Sequence, residues 1–134
     1  MSVEEKKVLL IYKTSITSRI AKIILQKIGF ALFIEVNNRS DALAHLMAGG
    51  IDLVVSDQSR EIDGAEILKS WKENEKFEPI PFVIISKEGK IDIILYAGRA
   101  GVDEYILISP CLSSPEQKEL LSAVRKKLER FFPE

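Results

Sequence analysis

The chain has 134 residues, 46% of them hydrophobic and 29% charged, a length that builds one globular domain with a proper core and argues against two. With 19 basic and 20 acidic residues the formal charge is -1, so no global field draws the chain to nucleic acid or to an anionic membrane. The single cysteine cannot form an internal disulfide, no apolar run approaches the roughly 20 residues that span a bilayer, and the charged opening Met1-Ser2-Val3-Glu4-Glu5-Lys6-Lys7 lacks a signal peptide's apolar core. The expectation is a soluble, cytoplasmic domain covering 1–134, with its core from about residue 7 to residue 132.

The elements follow in a regular order. Val8-Leu9-Leu10-Ile11 reads as a buried strand ending in Tyr12-Lys13. Thr14-Ser15 then offers an N-cap to a helix with Ile16, Ile20, Ile23 and Ile24 on one face. A second strand spans Ala31 to Val36, and Ser40 opens a helix carrying Ala42, Leu43, Leu46 and Met47, closed by Gly49-Gly50. Asp52 to Ser56 forms the third strand and delivers Asp57 to its carboxyl end. Ala65, Ile67, Leu68 and Trp71 predict a third helix, which ends before the charged loop from Lys72 to Glu78. Pro79-Ile80-Pro81 leads into a fourth strand, Pro81 to Ser86. In Lys90 to Gly98, a helix that turns Ile91, Ile94 and Leu95 inward sends Ile93 and Tyr96 outward, as a contact patch or as cover for neighbouring elements. The fifth strand is Glu104 to Ile108. The last helix has Ser114 as N-cap, Pro115 in its first turn and Gln117 completing a capping box, with Leu120, Leu121, Val124, Leu128 and Phe131 on one face.

Five alternations of strand and helix, with nearly continuous apolar strands, predict an α/β fold: a doubly wound, five-stranded parallel sheet with helices on both faces. Such sheets keep their sites outside the carboxyl ends of the strands, which makes Asp57 the leading candidate. A carboxylate there serves either as a site or as an acceptor for backbone N–H groups. Lys13 is placed either to pair with Asp57 or to lie solvated in its loop, and Tyr12 to pack its ring over the sheet end with its hydroxyl in water. His45 has no ligand-spaced neighbours and Cys111 no histidine partner, so neither is expected to act chemically. Thr14-Ser15-Ile16-Thr17-Ser18 suits a phosphate at a helix start, as in a flavodoxin-like flavin binder, but it has no glycine and N-capping explains it more simply.

Several segments resemble one family. Glu35-Val36-Asn37-Asn38-Arg39-Ser40-Asp41-Ala42-Leu43, Asp52-Leu53-Val54-Val55-Ser56-Asp57 with Asp63-Gly64, Ile80-Pro81-Phe82-Val83-Ile84-Ile85-Ser86 and Ala100-Gly101-Val102-Asp103-Glu104-Tyr105 stand in the order found in CheY-like receiver domains. The resemblance covers nearly the whole chain and implies strand order 2-1-3-4-5. It also implies a phosphoacceptor at Asp57, a hydroxyl at Ser86 and a switch aromatic at Tyr105. It implies as well a histidine kinase or effector protein as partner, and a dimer or effector surface on the fourth helix, fifth strand and fifth helix.

The likeness breaks at the chemistry. Receivers place an acidic pair after the first strand and a lysine at the end of the fifth. Tyr12 and Lys13 stand at the pair, and Ile108 or Ser109, depending on register, stands at the lysine. The loop Gln58-Ser59-Arg60-Glu61-Ile62 is one residue short and lacks its proline. Phosphoryl transfer to a carboxylate needs Mg²⁺, which prefers carboxylate and water ligands. The expectation is therefore an atypical receiver, a pseudo-receiver: not an enzyme, with no metal or cofactor, acting as a protein-interaction module in two-component signalling without nucleic-acid or membrane contacts. The alternatives are a phosphorylatable response regulator in which Asp57 keeps an atypical Mg²⁺ site helped by Asp63 or Glu61, and the flavin binder.

Overall fold

The computed structural model describes residues 1–13, 16–109 and 114–133. Five strands, β1 (Lys7–Ile11), β2 (Leu32–Val36), β3 (Leu53–Ser56), β4 (Phe82–Ser86) and β5 (Glu104–Leu107), pair in parallel in the order β2-β1-β3-β4-β5. The helices α1 (Ile16–Ile28), α2 (Arg39–Ala48), α3 (Gly64–Lys72) and α4 (Ile91–Ala100) connect them, and α5 (Ser114–Glu129) follows β5.

Alternation along each strand sorts the side chains into two cores. Val8, Leu10, Leu53, Val55, Val83 and Ile85 face α1 and α5, meeting Ala21, Leu25, Val124 and Leu128. Leu9, Ile11, Val54, Phe82 and Ile84 face the other way, onto Ala42 and Leu46 of α2, Ile67, Leu68 and Trp71 of α3, and Ala97 and Ala100 of α4. The doubly wound expectation is thus met in order and in layering. Both faces of β3 and β4 are fully buried, which is why their sequences read as unbroken apolar runs.

Several local expectations change. The α2 cap is Asn38, whose side chain accepts from the Asp41 N–H at 2.8 Å, and not Ser40. In α1 the buried set is Thr17, Ala21, Ile24, Leu25 and Ile28, while Ile16 and Ile23 are exposed; the helix has more isoleucines than one face holds, and small Ala21 selects the face that approaches the sheet. Met47 is exposed as well.

The largest correction concerns α4. Ile91 and Leu95 point to solvent, 72% and 51% exposed, whereas Tyr96 packs with Ala97 and Ala100 against the sheet. Half-buried Ile93 completes an i, i+3, i+4, i+7 stripe with these three. Two alanines let the helix lie close, and their spacing decides which side turns in. Thr14, Ser15 and Cys111 lie outside the described residues, as does the capping side chain expected at Ser114.

Candidate functional site

The carboxyl ends of β1, β3 and β4 bring together Tyr12, Asp57 and Ser86. Asp57 is 8% exposed. Its N–H donates to the Ile11 carbonyl at 2.9 Å, the last step of the β1–β3 pairing, and its Oδ1 accepts the Gln58 N–H at 2.8 Å.

That last bond ends the ladder between β3 and β4. Val54 N–H donates to Pro81 O at 2.9 Å, and a parallel ladder advancing two residues at a time would pass through Ser56 and Val83 and then require Gln58 N–H for the Ile85 carbonyl. Gln58 has turned back to Asp57 instead. The Tyr12 hydroxyl supplies the missing donor, reaching over β3 to Ile85 O at 2.6 Å. Tyr12 is therefore 4% exposed and part of the α1/α5 core, not a ring with its hydroxyl in water. Burial, reinforced by the nearby charge of Asp57, pushes its phenol well above the ordinary value.

Lys13 is exposed. No ion pair joins it to Asp57 among the described residues, so of the two placements open to it the solvated one holds; the chain leaves β1 with Lys13 on its outer side once Tyr12 has turned into the core.

Ser86 is 1% exposed and fully engaged: its hydroxyl donates to Gln58 O at 3.1 Å and accepts the Glu88 N–H at 3.1 Å. Tyr105 is half-buried against the α2–α4 side of the core, with its hydroxyl donating to Glu88 O at 2.5 Å. Burial, opposed by the neighbouring Ser86 hydroxyl and aided by the charges of Glu88 and Asp57, pushes this phenol up to about 12. Ile108 is 4% exposed in the α1/α5 core, its N–H bonded to Ser86 O at 2.9 Å. Ser109 is exposed, beside Lys87 and Leu107.

Gln58, which carried no signal in the sequence, is the hub of the loop. Its Nε2 donates to Asp63 Oδ1 at 3.0 Å and its Oε1 accepts the Ala65 N–H at 3.1 Å. Asp63 caps α3 by accepting the Glu66 N–H on the same oxygen at 3.0 Å, and its Oδ2 accepts the Tyr96 hydroxyl at 3.2 Å. The Asp-x-x-Glu spacing from Asp63 to Glu66 announces such a cap. Gly64 is required beside it: a Cβ there would lie 2.6 Å from both Asp57 O and Ser56 Oγ.

These residues do not fit Mg²⁺. Beside Asp57 stand a core tyrosine and hydroxyls already bonded, Asp63 is spent on the cap and on Gln58 and Tyr96, and Glu61 is exposed. Among the described residues no three His, Cys, Asp or Glu side chains converge.

No family model matches the chain. It is 31% identical to the chemotaxis protein CheY-3 of Vibrio cholerae over 123 residues, which are 91% of this chain and 93% of that protein. It is 29% identical to the chemotaxis protein CheY of Pseudomonas aeruginosa over 102 residues, 75% of this chain and 82% of that one. Among solved structures, a signal receiver domain of a two-component histidine kinase from Clostridium thermocellum superposes with a TM-score of 0.73 at 27% identity, covering 93% of this chain and 98% of that domain.

Proposed function

The chain belongs to the CheY-like receiver family of two-component signalling, and from that premise we propose that it is a receiver whose working state is set without Mg²⁺-dependent phosphorylation of Asp57. One observation carries the reading: where the acidic pair would stand, the Tyr12 hydroxyl is bonded to Ile85 O at 2.6 Å inside the core. A residue that closes the sheet cannot also present a metal ligand. Ser86 and Tyr105, the hydroxyl and aromatic of the family's switch, are each fastened to backbone of the loops they would move, at Gln58 and Glu88. A Lys is absent from both positions that could hold the fifth-strand cation.

The domain then acts by binding other proteins and not by catalysis. Its partners are a histidine kinase or an effector, and Ile91, Leu95 and Leu107, each at least 51% exposed on α4 and β5, supply an apolar face for an effector or a second copy. The reading takes 1–134 as one folding unit, supported by the single sheet that carries both cores of the described residues. The family membership leaves the flavin reading without support.

Incubation with acetyl phosphate and Mg²⁺, followed by intact mass, tests the proposal. No gain is expected. An Mg²⁺-dependent gain of one phosphoryl group that disappears in Asp57→Asn would overturn it in favour of a response regulator phosphorylated on Asp57.

A further inference from the structure

Among the described residues two hydrogen bonds tie α3 and its cap to α4, one at each end of α3. At the far end from the site, the Lys72 ammonium donates to Ala100 O at 3.0 Å, holding the last turn of α4. At the near end the Tyr96 hydroxyl meets Asp63 Oδ2 at 3.2 Å. The same ring lies under the Lys69 ammonium, 5.5 Å from its centroid. Asp63 is no bystander: through Oδ1 it holds Gln58 Nε2, and the Gln58 N–H rests on the Asp57 carboxylate. A continuous file of hydrogen bonds therefore runs from Asp57 through Gln58 and Asp63 to the middle of α4. It branches at Gln58 from the path through Ser86 and Tyr105: the Gln58 carbonyl accepts the Ser86 hydroxyl, and that branch reaches the chain before α4 at Glu88.

We infer that Tyr96, Asp63 and Gln58 form a latch that locks α4 to the Asp57 loop, so that the position of α4, and with it the Ile91–Leu95 face, depends on this loop directly. The latch rests on two local features. The shortened loop pairs Gln58 with Asp63 in an antiparallel bridge, which brings the Gln58 amide onto the α3 cap; Tyr96 reaches the cap because α4 turns its alanine stripe inward. Removing the Tyr96 hydroxyl takes the donor from Asp63 Oδ2, and removing the Gln58 amide leaves Asp63 Oδ1 with the Glu66 N–H alone and strips the Ala65 N–H of its acceptor. The inference holds whether or not Asp57 accepts a phosphoryl group.

Amide hydrogen exchange of the full chain, read by peptide mass, tests it with two substitutions. Tyr96→Phe removes one oxygen from α4, and Gln58→Met removes the amide while keeping an unbranched side chain. Each is expected to speed exchange several-fold in both segments, residues 58–65 and residues 91–100, because each opens the latch. The double variant should exchange no faster in either segment than the faster single one. If either substitution loosens only its own segment, or neither changes exchange, the latch does not exist.

Discussion

At the scale of single residues, Tyr12 has the most consequential role. Its hydroxyl satisfies a buried carbonyl that the sheet itself leaves open, and its ring fills the core beneath. Tyr12→Phe retains the ring and strips Ile85 O of its donor, which is expected to cost about 1–3 kcal/mol, measured as a lower urea midpoint with unchanged slope. Lys13→Ala, one position on, should change stability by less than about 0.5 kcal/mol, because that side chain is exposed and unpaired among the described residues. That Asp57 and Ser86 lie at the carboxyl ends of β3 and β4 is legible in the sequence because each ends an apolar run. The bond made by Tyr12 is not: it depends on where the β3–β4 ladder stops, and that is set by Gln58 turning back on Asp57, a choice no periodicity records.

At the scale of elements, strand and helix could be read from β-branched runs and caps, and so could the layering, since both faces of β3 and β4 are apolar. The orientation of α4 could not. Ile91, Ile93, Ile94, Leu95 and Tyr96 put apolar side chains on every side of the helix, so hydrophobicity alone names no inward face; the close approach permitted by Ala97 and Ala100 decides it. Two glycines give opposite predictions for the same substitution. Gly64→Ala drives a Cβ to 2.6 Å from Asp57 O, an overpacking expected to cost at least about 1–3 kcal/mol. Gly98→Ala in α4 meets nothing within 4 Å and should stabilise by about 0.5–1 kcal/mol through helix propensity. Urea titrations of the two variants check both signs.

At the scale of the whole molecule, all three tyrosines are held protonated by the fold. Tyr12 is pushed well above 10.0, Tyr96 is raised by burial and by Asp63, and Tyr105 reaches about 12. In the unfolded chain they titrate near the ordinary value of 10.0. The native state thus binds more protons above that pH, so the tyrosines' contribution to stability is complete below pH 10 and is lost as pH rises toward 12 and beyond. Phenolate absorbance of the native protein should show no midpoint at 10, and one there would contradict these environments. Urea unfolding at neutral pH should be a single cooperative transition, as one folding unit requires. If the α4–β5 face joins two copies, sedimentation will show a concentration-dependent dimer that Leu95→Asp abolishes; a monomer at every concentration excludes a second copy on that face.

The Tyr12 hydroxyl on the Ile85 carbonyl also limits what position 12 can hold. An acid placed there would enter a site 4% exposed, carry charge into apolar packing and take the donor from a buried carbonyl at the same stroke. An engineered metal site that starts from this position therefore begins with a loss of stability, and its other ligands must be in place before an ion can offset it.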